Sequence, residues 1–185
     1  LLIPSPKVAT YDQKPEMSAR EIGDAVINAI NAEHYDFIVV NFANGDMVGH
    51  TAVEDAVIQA VEVLDEQVGK LVQVAVSNDY SIILTADHGN CEELIDPTTG
   101  MPQTQHTMYP VPCMIIDKSS WQLSCSGGLA NIAPTVLQLM GIDVAKDTME
   151  KSLLIKEKSC SNPSCCSRKN RSRRSGIWQR VPEEA

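Results

Sequence analysis

The apolar residues of this chain recur at two spacings, and the spacing changes at turn-forming residues. After a segment punctuated by Pro4, Pro6 and Pro15, the residues Ile22, Val26, Ile27 and Ile30 follow one another at helical intervals. Ser18 and Glu21 read as a capping box at their start, so a helix is predicted over about 18–33. Phe37-Ile38-Val39-Val40-Asn41-Phe42 is a short continuous apolar run, the pattern of a buried strand. Segment 43–51, Ala-Asn-Gly-Asp-Met-Val-Gly-His-Thr, then reads as a loop at the C-terminal end of that strand. A long helix is predicted over about 53–77, with Val57, Ala60, Val61, Leu64, Val68, Leu71, Val72 and Ala75 as its inner stripe. A second buried strand is predicted over 81–85. Residues 36–85 thus read as a strand–helix–strand crossover, and such crossovers join parallel strands. Residues 86–110 form a long polar loop, Val111-Pro112-Cys113-Met114-Ile115-Ile116 reads as another strand, and a helix is predicted near 131–140 with Asn131 as its cap and Pro134 in its first turn.

This alternation is α/β, and ligands in such sheets bind beyond the carboxyl ends of the strands. The three or so strands that can be counted are few beside the roughly 4–6 of an ordinary sheet. The expected architecture is therefore a partial three-layer sandwich with a mainly parallel sheet, its missing strands supplied by an N-terminal part absent from these 185 residues. The start Leu-Leu-Ile-Pro-Ser-Pro-Lys, with no initiator Met and no secretion-signal pattern, fits a chain that begins inside a longer protein. A loop as long as 86–110 inside a compact domain is usually functional.

Charge divides the chain. The formal net charge of −9 conceals 8 Lys and Arg against 22 Asp and Glu in residues 1–157, and 7 against 2 in residues 158–185. The acidic body argues against nucleic acid as its main partner, and an anionic substrate would need local compensation, for which metal ions are the obvious source. Residues 158–185, rich in Ser, Arg and Cys and without apolar periodicity, read as a basic disordered tail after a single domain over 1–157. The Cys165-Cys166 pair fits no standard zinc spacing, and the tail reads as an incidental extension. Cys91, Cys113 and Cys125 are scattered singly, as reduced cytoplasmic thiols are. No run approaches the roughly 18 apolar residues of a membrane span.

Three of the four histidines stand in loops beside strands. Asp46 and His50 are four apart between Gly45 and Gly49. If that loop makes a helical turn, both side chains face one way, as two ligands for a divalent ion. His106 precedes strand 111–116. Asp87 and His88 follow strand 81–85 and, as neighbours at a strand end, point in roughly opposite directions, toward two different centres. Singly, each is better read as a cap or a surface residue. Together they fall at one sheet edge, and a metal site is the more economical account. His34 reads as a residue placed at a helix C-terminus by the dipole. Asp and His without Cys suit Mn²⁺, Mg²⁺, Co²⁺ or Zn²⁺ rather than a structural thiolate zinc. Two such ions would activate an alkoxide and neutralise phosphoryl oxygens.

The strings Asn41-Phe42-Ala43-Asn44-Gly45-Asp46-Met47-Val48-Gly49-His50-Thr51, Thr85-Ala86-Asp87-His88-Gly89-Asn90-Cys91-Glu92, and His106-Thr107 before Pro110-Val111-Pro112 resemble cofactor-independent phosphoglycerate mutase, and the likeness covers about residues 1–155. Asp-His-Gly alone is shared across the alkaline phosphatase superfamily, including sulfatases and phosphopentomutases. The resemblance implies an isomerase of glycolysis and gluconeogenesis, cytoplasmic and monomeric at full length. It would interconvert 3-phosphoglycerate and 2-phosphoglycerate through a phosphoserine with two Mn²⁺ ions. Asp46, His50 and His106 resemble the ligands of one ion, and Asp87 and His88 those of the other. The family's nucleophilic serine, a further aspartate and the domain that grips the substrate have no counterpart in these residues. The chain alone is therefore expected to be an inactive metal-binding fragment. Ala52 and Lys151 stand where the family usually has glycine. A non-catalytic truncated product and a related metal-dependent phosphatase or phosphopentomutase are the alternatives.

Overall fold

The computed structural model describes residues 1–143 and 149–155 and the backbone of 179–181. The described residues form four α-helices, α1 (Ala19–Asn31), α2 (Asn44–Gly49), α3 (Glu54–Ser77) and α4 (Ile132–Leu139). Five short strands accompany them: β1 (Ile82–Thr85), β2 (Val111–Ile116), β3 (Gln122–Leu123), β4 (Leu154–Ile155) and β5 (Gln179–Val181). The chain divides into two compact units, Leu1–Tyr80 with His88–Met108, and Ser81–Asp87 with the residues from Tyr109 onward.

The first unit is a helical body. α1 packs on α3; α1 buries Ala19, Gly23 and Ile30, and α3 buries Ala60, Gln67, Leu71 and Ala75. The apolar stripe of α3 is close to the predicted one, with three differences, the first being that Ala56 is buried as well. Val61 is 47% exposed, and the polar Gln67 is buried at 1% exposure. Gln67 fits because residue 23 is glycine: a Cβ there would come within 2.6 Å of the Gln67 Oε1. Ser18 is the N-cap of α1, but its hydroxyl donates to the Pro4 carbonyl at 2.8 Å, so the Ser18–Glu21 box does not form and Ser18 pins the N-terminal segment instead. Segment 43–51 is not a plain loop: α2 runs through it and buries Val48 against Met17, Ala56, Val57 and Ala60. Asn44 is also buried and donates its Nδ2 to the Pro15 carbonyl at 2.8 Å.

Residues 37–42 do not form the predicted strand. They carry no ladder, and Phe37, Val39 and Val40 are 53%, 76% and 38% exposed. A strand's backbone groups are satisfied only by neighbouring strands, and none of the described residues pairs with this run. The crossover read over 36–85 is therefore absent.

The second unit holds the sheets, and the described pairings are all antiparallel, against the mainly parallel sheet expected. β1 pairs β2 with Ile82 opposite Ile116 and Thr85 opposite Cys113, and β2 pairs β5 with Val111 opposite Val181. β3 pairs β4 separately. A parallel neighbour requires a crossover, usually helical, and no helix lies between β1 and β2. Beyond β5, the tail over 158–185 lies outside the described residues. Cys113 and Leu153 are buried together, with Leu123 and Ile132 against them. Thr135 in α4 ties this core: its Oγ1 donates to the Asn131 carbonyl at 2.6 Å and accepts the Leu153 N–H at 2.9 Å. Asn131 precedes α4, with Pro134 in the first turn, as predicted. Its side chain does not cap the helix, however; its Oδ1 accepts from the Gly128 N–H at 2.7 Å.

Ala52, where the resembling family usually has glycine, joins α2 to α3 with φ +51°. That left-handed conformation costs an L-residue with a Cβ about 1–2 kcal/mol, a cost glycine escapes. Ala52→Gly is expected to stabilise the chain by about 0.5–1 kcal/mol, after the greater unfolded-state entropy of glycine is deducted. Gly23→Ala is expected to destabilise it by about 1–3 kcal/mol, because the buried Gln67 must shift. Urea denaturation of both variants against the parent measures each.

Candidate metal centre

Asp46 lies in the first turn of α2, and His50 is the C-cap residue of the same helix. The backbone bond from His50 N–H to the Asp46 carbonyl, 3.0 Å, closes the turn that puts both side chains on one face. His50 Nε2 lies 3.0 Å from Asp46 Oδ1. The second limb of loop 86–110 brings His106 to the same atom, its Nε2 2.9 Å from Asp46 Oδ1. The His88 ring stacks on His106 with centroids 3.7 Å apart, and His50 lies 5.0 Å from His106. Ligand atoms of Asp46, His88 and His106 all fall within 4.8 Å of one another.

The sequence therefore anticipates Asp46, His50, His88 and His106 as neighbours. They gather around α2 and the loop rather than along the end of a strand at 37–42, because that strand does not form. Asp87 is exposed just past β1, in the second unit. His34 is exposed after α1.

The unreactive faces of two imidazoles are anchored. His50 Nδ1 is 2.7 Å from the Thr104 carbonyl and His88 Nδ1 is 3.3 Å from the Gly89 carbonyl. A carbonyl only accepts, so each Nδ1 is the donor in its contact, which leaves Nε2 as the nitrogen each ring can offer to an ion. Such second-sphere carbonyls fix the tautomer that metal-ligating histidines use. Three polar nitrogens, His50 Nε2, His106 Nε2 and Asn90 Nδ2, crowd one oxygen of Asp46. Asn90 donates to that oxygen, while the two Nε2 atoms lie against it as well, and a cation among them would satisfy the carboxylate and both imidazole nitrogens together. Two or three imidazoles and a carboxylate, with no thiolate, are a donor set for a borderline or hard divalent ion.

Electrostatics favour the ionised carboxylate. Burial pushes the Asp46 carboxyl up, but the Asn90 hydrogen bond and the neighbouring His50, His106 and His88 outweigh it and hold the group below its ordinary range. Its contribution to folding is complete above the ordinary carboxylate range and is lost as pH falls through that lowered value. Cys91 behaves oppositely. Burial, then the charges of Glu92 and Asp46, push its thiol up to about 11, so it is protonated and no ligand. Its Sγ donates to the Gly45 carbonyl at 2.8 Å, and the side chain packs against the α2–α3 core.

The sequence pattern assigned no role to Asn90, Glu92 or Thr107, which surround the donors. Asn90 donates to Asp46, and Glu92 accepts from the Asn90 N–H at 2.8 Å and from the Thr107 hydroxyl. The available signal was their placement within four residues of a candidate ligand, Thr107 one beyond His106 and Asn90 and Glu92 two and four beyond His88.

The metalloenzyme superfamily profile matches residues 1–144. The chain is 48% identical over 153 residues to the 2,3-bisphosphoglycerate-independent phosphoglycerate mutase of Clostridium kluyveri, covering 83% of this chain and 30% of that protein. It is 50% identical over 156 residues to a second enzyme of that name from Methanosarcina barkeri, covering 84% of this chain and 30% of the relative. A crystal structure of Leishmania mexicana phosphoglycerate mutase at low cobalt concentration superposes with a TM-score of 0.76 and 34% identity, over 84% of this chain and 31% of that one. The chain thus spans about 30% of the length of the curated relatives it matches. With a superfamily profile across most of its length and close identity to these enzymes, the chain belongs to the metalloenzyme superfamily and is similar to part of the cofactor-independent phosphoglycerate mutases, which are isomerases.

Proposed function

We propose that this chain supplies the metal-holding part of a phosphoglycerate mutase that interconverts 3-phosphoglycerate and 2-phosphoglycerate in cytoplasmic glycolysis and gluconeogenesis. The observation that carries the reading is the convergence of His50 and His106 on Asp46, with His88 stacked alongside, in a chain 48% identical to an enzyme of that name. Asp46, His50 and His106 hold one Mn²⁺, and His88 with Asp87 contributes to a second. The closeness of His88 to the first set suits two ions a few ångströms apart. When bound, such ions neutralise phosphoryl oxygens and lower the pKa of a nearby hydroxyl. Mg²⁺, Co²⁺ or Zn²⁺ would fit the same donors.

The chain's own residues hold and orient. Thr104 and Gly89 carbonyls fix the ring tautomers of His50 and His88, and Asp46 stays ionised to compensate cationic charge within a body that is otherwise acidic. The nucleophilic serine and the groups that grip the phosphoglycerate come from the remainder of the longer enzyme. So do the partners that turn residues 37–42 into a strand of a mainly parallel three-layer sandwich. The complete protein acts as a monomer, free in the cytoplasm. No helix of the described residues is long and apolar enough to cross a membrane. A second reading is a non-catalytic metal-binding chain, with the same donors around Asp46.

Two predictions separate these readings. The purified chain with Mn²⁺ is expected to give no conversion of 3-phosphoglycerate, and conversion is expected when a separately expressed remainder of the enzyme is added. Turnover by the chain alone would overturn the division of labour. Mn²⁺ binding without turnover in the mixture would favour the non-catalytic reading. In calorimetric titrations of Mn²⁺, Asp46→Ala and His50→Ala are each expected to weaken binding by at least about tenfold. Binding should also weaken as pH falls, since imidazoles must shed their protons to ligate while Asp46 remains ionised. If His88→Ala weakens binding and His50→Ala does not, a single ion on Asp46, His88 and His106 replaces the assignment.

A further inference from the structure

We infer that Asn90, Glu92 and Thr107 are positioning residues that set the geometry of the metal centre without touching the ion. The inference rests on the metal-holding reading above. Each histidine of loop 86–110 is followed by a residue of one clasp. Gly89 and Thr107 pair as an antiparallel bridge, with the Thr107 N–H donating to the Gly89 carbonyl at 3.0 Å. Glu92 closes the same clasp with both carboxylate oxygens: one accepts from the Thr107 hydroxyl, the other from the Asn90 N–H at 2.8 Å. The clasp fixes the separation of residues 88 and 106, whose rings stack.

Asn90 joins this clasp to α2. Its Nδ2 donates to Asp46 Oδ1 at 2.9 Å and toward the Asp46 carbonyl at 3.3 Å, and its side chain is buried. Both partners only accept, so the amide has one permissible orientation. In that orientation its Oδ1 is buried without a hydrogen-bond partner. A buried unmatched oxygen carries a cost, and it is retained where the opposite end of the amide holds a carboxylate in place.

The surrounding glycines are shaped to this arrangement. A Cβ at Gly49 would come within 2.3 Å of Asn90 Oδ1. One at Gly89 would come within 2.2 Å of both Glu92 Oε1 and Thr107 Oγ1. Two glycines next to candidate ligands, one beside His50 and one beside His88, are thus required by Asn90 and by the Glu92–Thr107 pair. A chain that merely needed loop flexibility would not need both glycines packed this tightly.

The test uses the chain as it stands, with Mn²⁺ alone as the affinity probe and Co²⁺ alone as the spectroscopic one. Thr107→Val keeps the shape but removes the hydroxyl, Thr107→Ser keeps the hydroxyl, and Asn90→Ala removes the tie to Asp46. Circular dichroism and thermal melts verify the fold. Thr107→Val and Asn90→Ala are expected to weaken Mn²⁺ binding by about 10–100-fold and to shift the visible Co²⁺ spectrum, while Thr107→Ser restores both. Folded Thr107→Val and Asn90→Ala proteins with unchanged Mn²⁺ affinity and Co²⁺ spectrum would overturn the inference, provided Asp46→Ala still weakens binding. Should Asn90→Ala fail to fold, the isosteric Thr107 pair decides alone. Absence of Mn²⁺ binding by the parent chain would overturn the metal-holding reading and the inference with it.

Discussion

One carboxylate oxygen organises the first unit. Asp46 Oδ1 is approached by His50 from its own helix, by His106 from the far limb of the long loop, and by Asn90 from the near limb. Cys91 and Leu94 of the near limb pack against the core around Val48, and the far limb meets His50 through the Thr104 carbonyl. At their meeting point the Asn90 hydrogen bond and the imidazoles hold the Asp46 carboxyl below its ordinary range against the penalty of burial. The rest of the unit serves that atom. Val48 roots α2 in the core, Asn44 ties its start to Pro15, and Ala52 accepts a left-handed backbone so that α3 can start two residues later.

The structure shows where local patterning suffices and where it does not. α1, α3 and α4 were legible because a helix satisfies its own backbone and needs only one apolar face, which Ile22, Ile30, Val57, Ala60 and Leu71 mark. Residues 37–42 carry an equally clear apolar signal, yet a strand cannot satisfy its backbone alone, and among the described residues its partners do not exist. Parallel pairing was inferred from a crossover whose first strand does not form among the described residues, where the pairings are antiparallel. Gln67 was invisible because its burial depends on Gly23, on a different helix. Periodicity records which face a residue takes, not which neighbour leaves room for it.

The site divides in the same way. Asp46 and His50 were legible as a pair because four-residue spacing has a geometric meaning whenever the segment turns. Neither His88 nor His106 could be joined to them by spacing, since the clasp between residues 89 and 107 is a long-range contact. Placement at strand ends grouped them at one sheet edge, and the resemblance of the whole string divided them between two ions. Asn90, Glu92 and Thr107 act through hydrogen bonds alone, and side-chain hydrogen bonds between distant segments leave no period in a sequence. The glycines came closest to a signal, because a glycine that is not at a turn often marks close approach.

The exposed run at 37–42 and the metal donors differ in how far each depends on the rest of a longer protein. Phe37, Val39 and Val40 leave apolar surface in water because a strand needs neighbours on both sides. Asp46, His50, His88 and His106 need none, since α2 closes its own turn and the clasp closes within loop 86–110. The metal-holding arrangement is therefore a property of the helical unit, separable from completion of the sheet. On the proposed reading, metal affinity and turnover need not fall together: a chain without the remaining strands would keep the first while lacking the second. On that reading the reverse dependence is strict, because phosphoryl transfer beside an acidic body needs a concentrated positive charge, which divalent ions at these side chains would supply.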